Sequence, residues 1–239
     1  MRAALLRTYG EAVDLGELPQ PGPQPDETLV RVSAAPIVPL DLLCASGTSY
    51  FGQQPLPYVP GVQGVGVVGQ VALAVARHLE AGRVVAVCRS DAAAQRAIAA
   101  GADDGVVLRP DEQRADLAGR LTAAAGGPVD VVIDPVFGEP AAAATLALGP
   151  GGRLVNLGGA AHDRAEFSSA TLRSSMIDIL GYTNNAISAV QRADALTSVL
   201  ALAARGQVAV DHQVIPLADC AQAWVAAANS GPRVVVALD

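Results

Sequence analysis

The chain has 239 residues, half of them hydrophobic (51%) and only 16% charged, with a formal net charge of −7. That is enough apolar material for a packed core and argues against disorder. No cluster of basic residues offers the stripe that nucleic acid or an anionic membrane surface requires. Three isolated cysteines, Cys44, Cys88 and Cys220, form no C-x-x-C pair and predict neither a disulfide framework nor a cysteine-rich zinc site.

In chain order, residues 1–60 carry short β-like segments broken by prolines: AALLRTY, VDLGEL and, after the loop QPGPQPDE, TLVRVSAAPIV. This texture predicts irregular antiparallel structure. The amino terminus lacks the apolar core and cleavage site of a signal peptide, and the run VALAVA is too short to span a bilayer. A soluble cytoplasmic protein is the expectation.

From about Gly69 the texture changes to alternating strands and helices. Strands are predicted at 83–88, 105–108, 129–136, 153–159, 176–183 and 234–238. Helices are predicted at 92–102, 114–127, 141–152, 188–207 and 219–231. Strands that are continuously apolar predict a sheet covered on both faces, and the alternation predicts parallel crossovers. Residues 64–239 therefore read as a doubly wound α/β domain, and residues 1–63 as a separate, smaller β region.

At the join sits Gly64-Val65-Gly66-Val67-Val68-Gly69, a G-x-G-x-x-G run followed directly by an apolar helix. In a dinucleotide fold such glycines allow the tight turn, the approach of the pyrophosphate and close helix packing. The fingerprint requires a strand in front of it. Here the preceding chain, QQPLPYVPGVQ, holds three prolines. The run is either a phosphate turn or a glycine-rich strand, and Gly64, Gly66 and Gly69 are cofactor candidates under the first reading.

The next strand ends at Arg89-Ser90-Asp91. An acidic residue there selects the free ribose of NAD, whereas an Arg with a hydroxyl neighbour accommodates a 2′-phosphate. Arg89 and Ser90 favour NADP; Asp91 keeps NAD as the less favoured choice. Arg89 is equally readable as a solvated loop residue.

The ordered set of segments resembles the medium-chain dehydrogenase/reductase superfamily, in its zinc-free quinone oxidoreductase branch. The carriers are PLDLLCASG with Asp41 and Gly47, LPYVPGVQGVGVV, GQVALAVARHLEAGRVVAVCRS, AIAAGADDGVVL, GGPVDVVIDPVFG, LGPGGRLVNLGG and the carboxy-terminal DHQVIPLADCAQAWVAAANSGPRVVVAL. The resemblance implies a Rossmann-like cofactor domain preceded by a partial GroES-like substrate region. It implies hydride transfer from NADP to a quinone or conjugated carbonyl. It also makes a homodimer plausible. The zinc-dependent branch carries a Cys and a His where this chain has Pro39 and Val62, so no metal is expected.

The chain departs from the family at residues 61–70. Segments that lie far apart in the family run into each other here, as though a block holding the rest of the barrel and the first cofactor-domain strand were missing. Gly64 and Gly66 then descend from the barrel strand and Gly69 from the nucleotide helix. Either VQGVGVV substitutes for the lost strand and the turn loses its early glycines, or a short first strand around Tyr58–Val62 precedes the turn and the glycines act as written. A truncated, non-catalytic nucleotide-binding or interaction module is the alternative to an enzyme.

Other candidates follow from position. Tyr50 lies near where some related enoyl reductases carry a proton-donating Tyr, or is an ordinary half-buried loop residue. Asp134 ends a strand at the carboxyl edge, where ligands bind in open α/β sheets; it either lines the nicotinamide pocket or caps the next turn. Gly158 and Gly159 stand in a similar strand-end loop. His162 is either a proton donor or a solvent-facing loop residue. Arg233 matches a basic position of the carboxy-terminal signature and is a candidate for a cofactor phosphate.

Overall fold

The computed structural model describes every residue except 24–28, 30, 50–51, 62–67, 184–185, 230–231 and 239. The chain divides into two compact units, Met1–Val67 with Val210–Asp239, and Val68–Ala209. The carboxy-terminal segment thus groups with the amino-terminal region, whereas the sequence reading kept 64–239 together. The reason is a sheet that only distant segments complete.

In the first unit, β1 (Arg2–Leu5) and β2 (Asp14–Glu17) form an antiparallel hairpin, and Leu6 bridges to Tyr58. A second sheet has the order β3-β10-β9, with β3 at Ala34–Pro36, β9 at His212–Pro216 and β10 at Arg233–Ala237. β10 runs antiparallel to β3 and parallel to β9. Helix α1 (Pro39–Ala45) starts with a proline, and Val38 N–H donates to the Asp41 carboxylate at 2.7 Å. That local bond satisfies an amide the helix start leaves unpaired. Helix α8 (Cys220–Ala228) follows a 3₁₀ turn at Leu217–Asp219 and places Trp224 and Ala223 on a core with Leu6, Val13, Ile37 and Val234.

The second unit begins with α2 (Val68–His78). It continues β4 (Val85–Cys88), α3 (Asp91–Ala99), β5 (Asp104–Val107), α4 (Arg114–Ala125), β6 (Val129–Asp134), α5 (Glu139–Ala147), β7 (Leu148–Asn156), α6 (Ser169–Ser174), β8 (Asp178–Gly181) and α7 (Ala189–Ala204). The predicted alternation is present and every strand pair in this unit is parallel. Helix ends follow local chemistry. Ser90 caps α3 by accepting from Ala93 N–H, Ser188 caps α7 by accepting from Gln191 N–H, and Gly126 closes α4 in the left-handed conformation. The helix predicted over 141–152 stops at Ala147, because Gly149-Pro150-Gly151-Gly152 cannot extend it, and those residues open β7 instead.

The parallel sheet is in two parts, β4-β5 and β6-β7-β8. In the doubly wound order 3-2-1-4-5-6, the first strand stands between the second and the fourth. With β4 and β5 as strands two and three, and β6 to β8 as four to six, the vacant position is that of the first strand. Among the described residues no strand lies between β4 and β6. The possible substitute, VQGVGVV, spans 62–68; residues 62–67 lie outside the described residues, and Val68 already belongs to α2.

The expectation of two covered faces is also corrected. Val132 and Ile179 pack on a core with Val106, Leu117, Leu121, Ala143 and Leu154, whereas Val131, Ile133 and Leu180 are about half exposed (46–52%). Ile133 and Leu180 flank Val155 in one cross-strand row. Of α7, only Leu202 is buried.

Candidate functional site at the carboxyl ends of the parallel strands

Each parallel strand of the second unit delivers its carboxyl end to a loop. β4 delivers Arg89 and Ser90. Both are exposed, and the Ser90 hydroxyl accepts from Ala93 N–H at 3.3 Å as the cap of α3. Its own O–H is left to donate outward. Beneath them the Cys88 thiol is pushed up by burial, an effect that nearby Arg96 partly offsets.

β6 delivers Asp134, which is 5% exposed. Its Oδ1 accepts from Val136 N–H at 3.0 Å and Phe137 N–H at 2.8 Å. Of the two readings of Asp134, the turn cap is the one built into its contacts. The turn is unusual: Phe137 has φ 60° and Gly138 φ 71°. A bulky residue rarely adopts that region, so the bonds from Asp134 hold it there. The Phe137 ring meets Phe167 edge-on, with centroids 6.0 Å apart.

β7 delivers Asn156 and the 157–162 loop. The Asn156 amide donates to the Asp134 carboxylate (3.1 Å), to the Asp134 carbonyl (3.2 Å) and to the Gly158 carbonyl (2.8 Å). The loop continues the strand ladder through Leu157 N–H to Asp134 O, Ala160 N–H to Pro135 O and Ala161 N–H to Val136 O. Gly159 is required by sterics: a Cβ there would lie 2.7 Å from the His162 carbonyl oxygen. Asn156 was not among the expected site residues. Its signal in the sequence is a lone amide between Leu154-Val155 and Leu157.

Beside these loops lies a cleft of about 700 Å³ lined by Phe137, Gly138, Glu139, His162, Arg164 and Glu166 among others. Arg114 at the start of α4 closes one side. Its guanidinium forks onto Glu139 at 2.7 and 3.0 Å and donates to the Glu166 carbonyl at 3.0 Å. That pairing raises the Arg114 pKa and lowers the Glu139 pKa from their ordinary values. A second cleft, of about 600 Å³, lies along α4 between Arg109 and Ala123. Two of its residues, Arg120 and Glu112, are paired to each other.

The other expected residues divide. Gly64, Gly66 and Tyr50 lie outside the described residues. Gly69 lies in the first turn of α2, and a Cβ added there meets nothing within 4 Å. Arg233 opens β10 in the first unit. Its Nη1 donates to the Ile37 carbonyl at 3.0 Å, its Nε is buried without a partner, and burial lowers its pKa. It braces the β3–β10 sheet. Among the described residues no three His, Cys, Asp or Glu side chains gather as metal ligands, and no helix is long and apolar enough to cross a membrane.

Tested against a dinucleotide, these residues fit its two ends. Exposed Arg89 and Ser90 suit a 2′-phosphate, and the 134–138 and 157–162 loops form a braced surface at the carboxyl edge. Of the candidate phosphate turn, Gly64 and Gly66 lie outside the described residues.

A sequence profile of the zinc-binding dehydrogenase family matches residues 67–205. An alcohol dehydrogenase of Rhizobium meliloti (strain 1021) is 34% identical over 84 residues, which make up 35% of this chain and 24% of that protein's length. A mycobacterial quinone oxidoreductase superimposes with a TM-score of 0.83 at 19% identity, over the full length of both chains. The quinone oxidoreductase of Thermus thermophilus, solved also with NADPH, superimposes with a TM-score of 0.72 at 21% identity, again over both full chains.

Proposed function

Because the chain belongs to the zinc-binding dehydrogenase family, as a quinone-oxidoreductase-like member of the medium-chain dehydrogenase/reductase superfamily, we propose that it is an NADP-dependent oxidoreductase reducing a quinone or conjugated carbonyl without a metal. The observation that carries this reading is Arg89-Ser90, exposed at the carboxyl end of β4 and at the start of α3. That is where a doubly wound fold discriminates the 2′ position.

When bound, the nicotinamide would supply a hydride. The chain's own residues have narrower tasks. Arg89 pairs with the 2′-phosphate, and Ser90 adds its hydroxyl while capping α3. The amino end of α3 adds a partial positive charge beside them. The braced loops around Gly158 and Gly159 offer backbone groups to the nicotinamide end. Rate acceleration would come chiefly from holding the reacting groups in place and from hydrogen bonds to the oxyanion as it forms. On the resemblance alone, Tyr50 is the proposed proton donor. The metal-free reading rests on Pro39 and Val62, which stand at the family's zinc-ligand positions. A small-molecule substrate, a cytoplasmic location and a homodimer complete the proposal.

That no strand lies between β4 and β6 among the described residues supports a second reading, a non-catalytic nucleotide-binding or interaction module. Parallel thermal-shift titrations with NADPH and NADH, followed by quinone turnover, separate the two. A ligand that binds only the folded state stabilises it by about 2.7 kcal/mol at a hundredfold excess over its dissociation constant. A shift with NADPH and turnover of a quinone is the expected result. A shift without turnover selects the module, and no shift with either nucleotide removes both nucleotide-based readings.

A further inference from the structure

We propose that Asp134 and Asn156 form a positioning pair that locks the loops after β6 and β7 into one rigid surface. Asp134 is buried, yet both carboxylate oxygens are used. Oδ1 takes the N–H groups of Val136 and Phe137, and Oδ2 takes the Asn156 amide. Asn156 in turn faces three acceptors: that carboxylate, the Asp134 carbonyl and the Gly158 carbonyl. Only a group that presents donors in this direction satisfies all three. An amide does; a carboxylate would set like charges together and leave the carbonyls without their donor.

The pair therefore does two separable things. Asp134 Oδ1 fixes the local turn that holds Phe137 in its left-handed conformation. The Oδ2–amide link joins that turn to the 157–162 loop, which already runs beside it through Leu157, Ala160 and Ala161 N–H groups. Asp134 is buried, and its carboxylate and the Asn156 amide nitrogen are bonded to each other and to the loop backbone, so the pair acts through the loops it holds. The link between the loops stands on the geometry alone. Its effect on turnover rests on the oxidoreductase reading.

Two variants divide these roles. Asn156→Ala removes the link and spares the turn. Asp134→Ser keeps a short acceptor for the turn amides and cannot reach Asn156. The first measurement is hydrogen exchange on the full, cofactor-free protein, read at the amides of Val136, Phe137, Leu157, Ala160 and Ala161. Asn156→Ala is expected to speed exchange in both loops together, by about tenfold or more. Asp134→Ser is expected to do the same at Leu157, Ala160 and Ala161. In Asn156→Ala, faster exchange confined to a single loop overturns the pair; in Asp134→Ser, unchanged exchange at Leu157, Ala160 and Ala161 does so.

The second measurement uses NADPH with a quinone, alongside the affinity for adenosine 2′,5′-bisphosphate, which probes the β4 end alone. Positioning predicts a fall in kcat of about 10- to 100-fold in both variants, with the bisphosphate affinity unchanged. Unchanged kcat, or bisphosphate affinity falling in step with kcat, overturns it. If the wild-type protein neither binds NADPH nor turns over, the oxidoreductase reading fails while the exchange result still decides the pair.

Discussion

The Arg77 guanidinium at the end of α2 lies 2.6 Å from the Asp103 carboxylate, which also accepts Val84 N–H at 2.7 Å. One side chain thus ties α2 to the chain on both sides of the β4–β5 pair, helped by Arg77 Nε on the Gly101 carbonyl at 2.8 Å. The bond from Val84, followed by that from Arg77, lowers the Asp103 pKa below its ordinary value. A carboxyl whose folded pKa is lowered contributes stability above its unfolded pKa and loses it as pH falls through the folded one. Wild-type protein should therefore exceed Asp103→Asn in thermal midpoint at neutral pH. The gap should narrow as pH drops below about 4, the ordinary aspartate range. A gap that is constant with pH would assign the effect to packing.

A second ion pair predicts the opposite profile of cost. Arg120 on α4 reaches Glu112 at 2.5 Å and the Val107 carbonyl at 2.7 Å, and the Glu112 side chain is only 7% exposed. Removing one partner of a fully buried pair costs about 3–5 kcal/mol; with Arg120 26% exposed, this pair is only partly buried. Arg120→Met should lower stability in urea unfolding by less than that range. The double variant Arg120→Met, Glu112→Leu should recover much of it. Equal losses in the single and double variants would show that the Val107 bond, not the charge, is what matters.

Gly105 on β5 is where strand and helix meet most closely. A Cβ there would lie 2.7 Å from the Ala94 Cβ on α3. Both atoms sit on regular elements, so neither can swing away. Gly105→Ala should cost about 1–3 kcal/mol through overpacking. Adding Ala94→Gly should relieve it, as read by thermal midpoints of the single and double variants.

At the β4 end, Arg89→Ala should weaken NADPH binding by about 10- to 100-fold, the loss of a hydrogen bond to a charged group. NADH binding should be unaffected. Isothermal titration with both nucleotides checks this. Equal weakening of the two would place Arg89 elsewhere than at the 2′ position.

Much of the second unit was legible before folding. The apolar runs at 83–88, 105–108 and 129–136 became β4, β5 and β6. What was not legible depends on partners distant in sequence. β9 is five residues of mixed character, and only its pairing with β10 makes it a strand. The grouping of 210–239 with the first unit has the same origin. At the site, Asp134 was singled out for its position, but Asn156 was not, because its role exists only once β6 and β7 lie side by side. The open face of β6 was hidden for a related reason. A continuous apolar run does not reveal that a covering element is missing.

Among the described residues, the two fragments of parallel sheet share a core but no hydrogen-bonded ladder. Val106 of β5 and Leu154 of β7 belong to the same cluster, and α4 packs against β4, β5 and α5. The described residues of the two fragments are therefore coupled through methyl groups on α4 and α5 rather than through main-chain bonds. Apolar contact weakens on cooling, whereas strand ladders do not depend on it to the same degree. Low temperature is thus the condition under which the β4–β5 fragment first becomes free to open on its own, ahead of β6–β8.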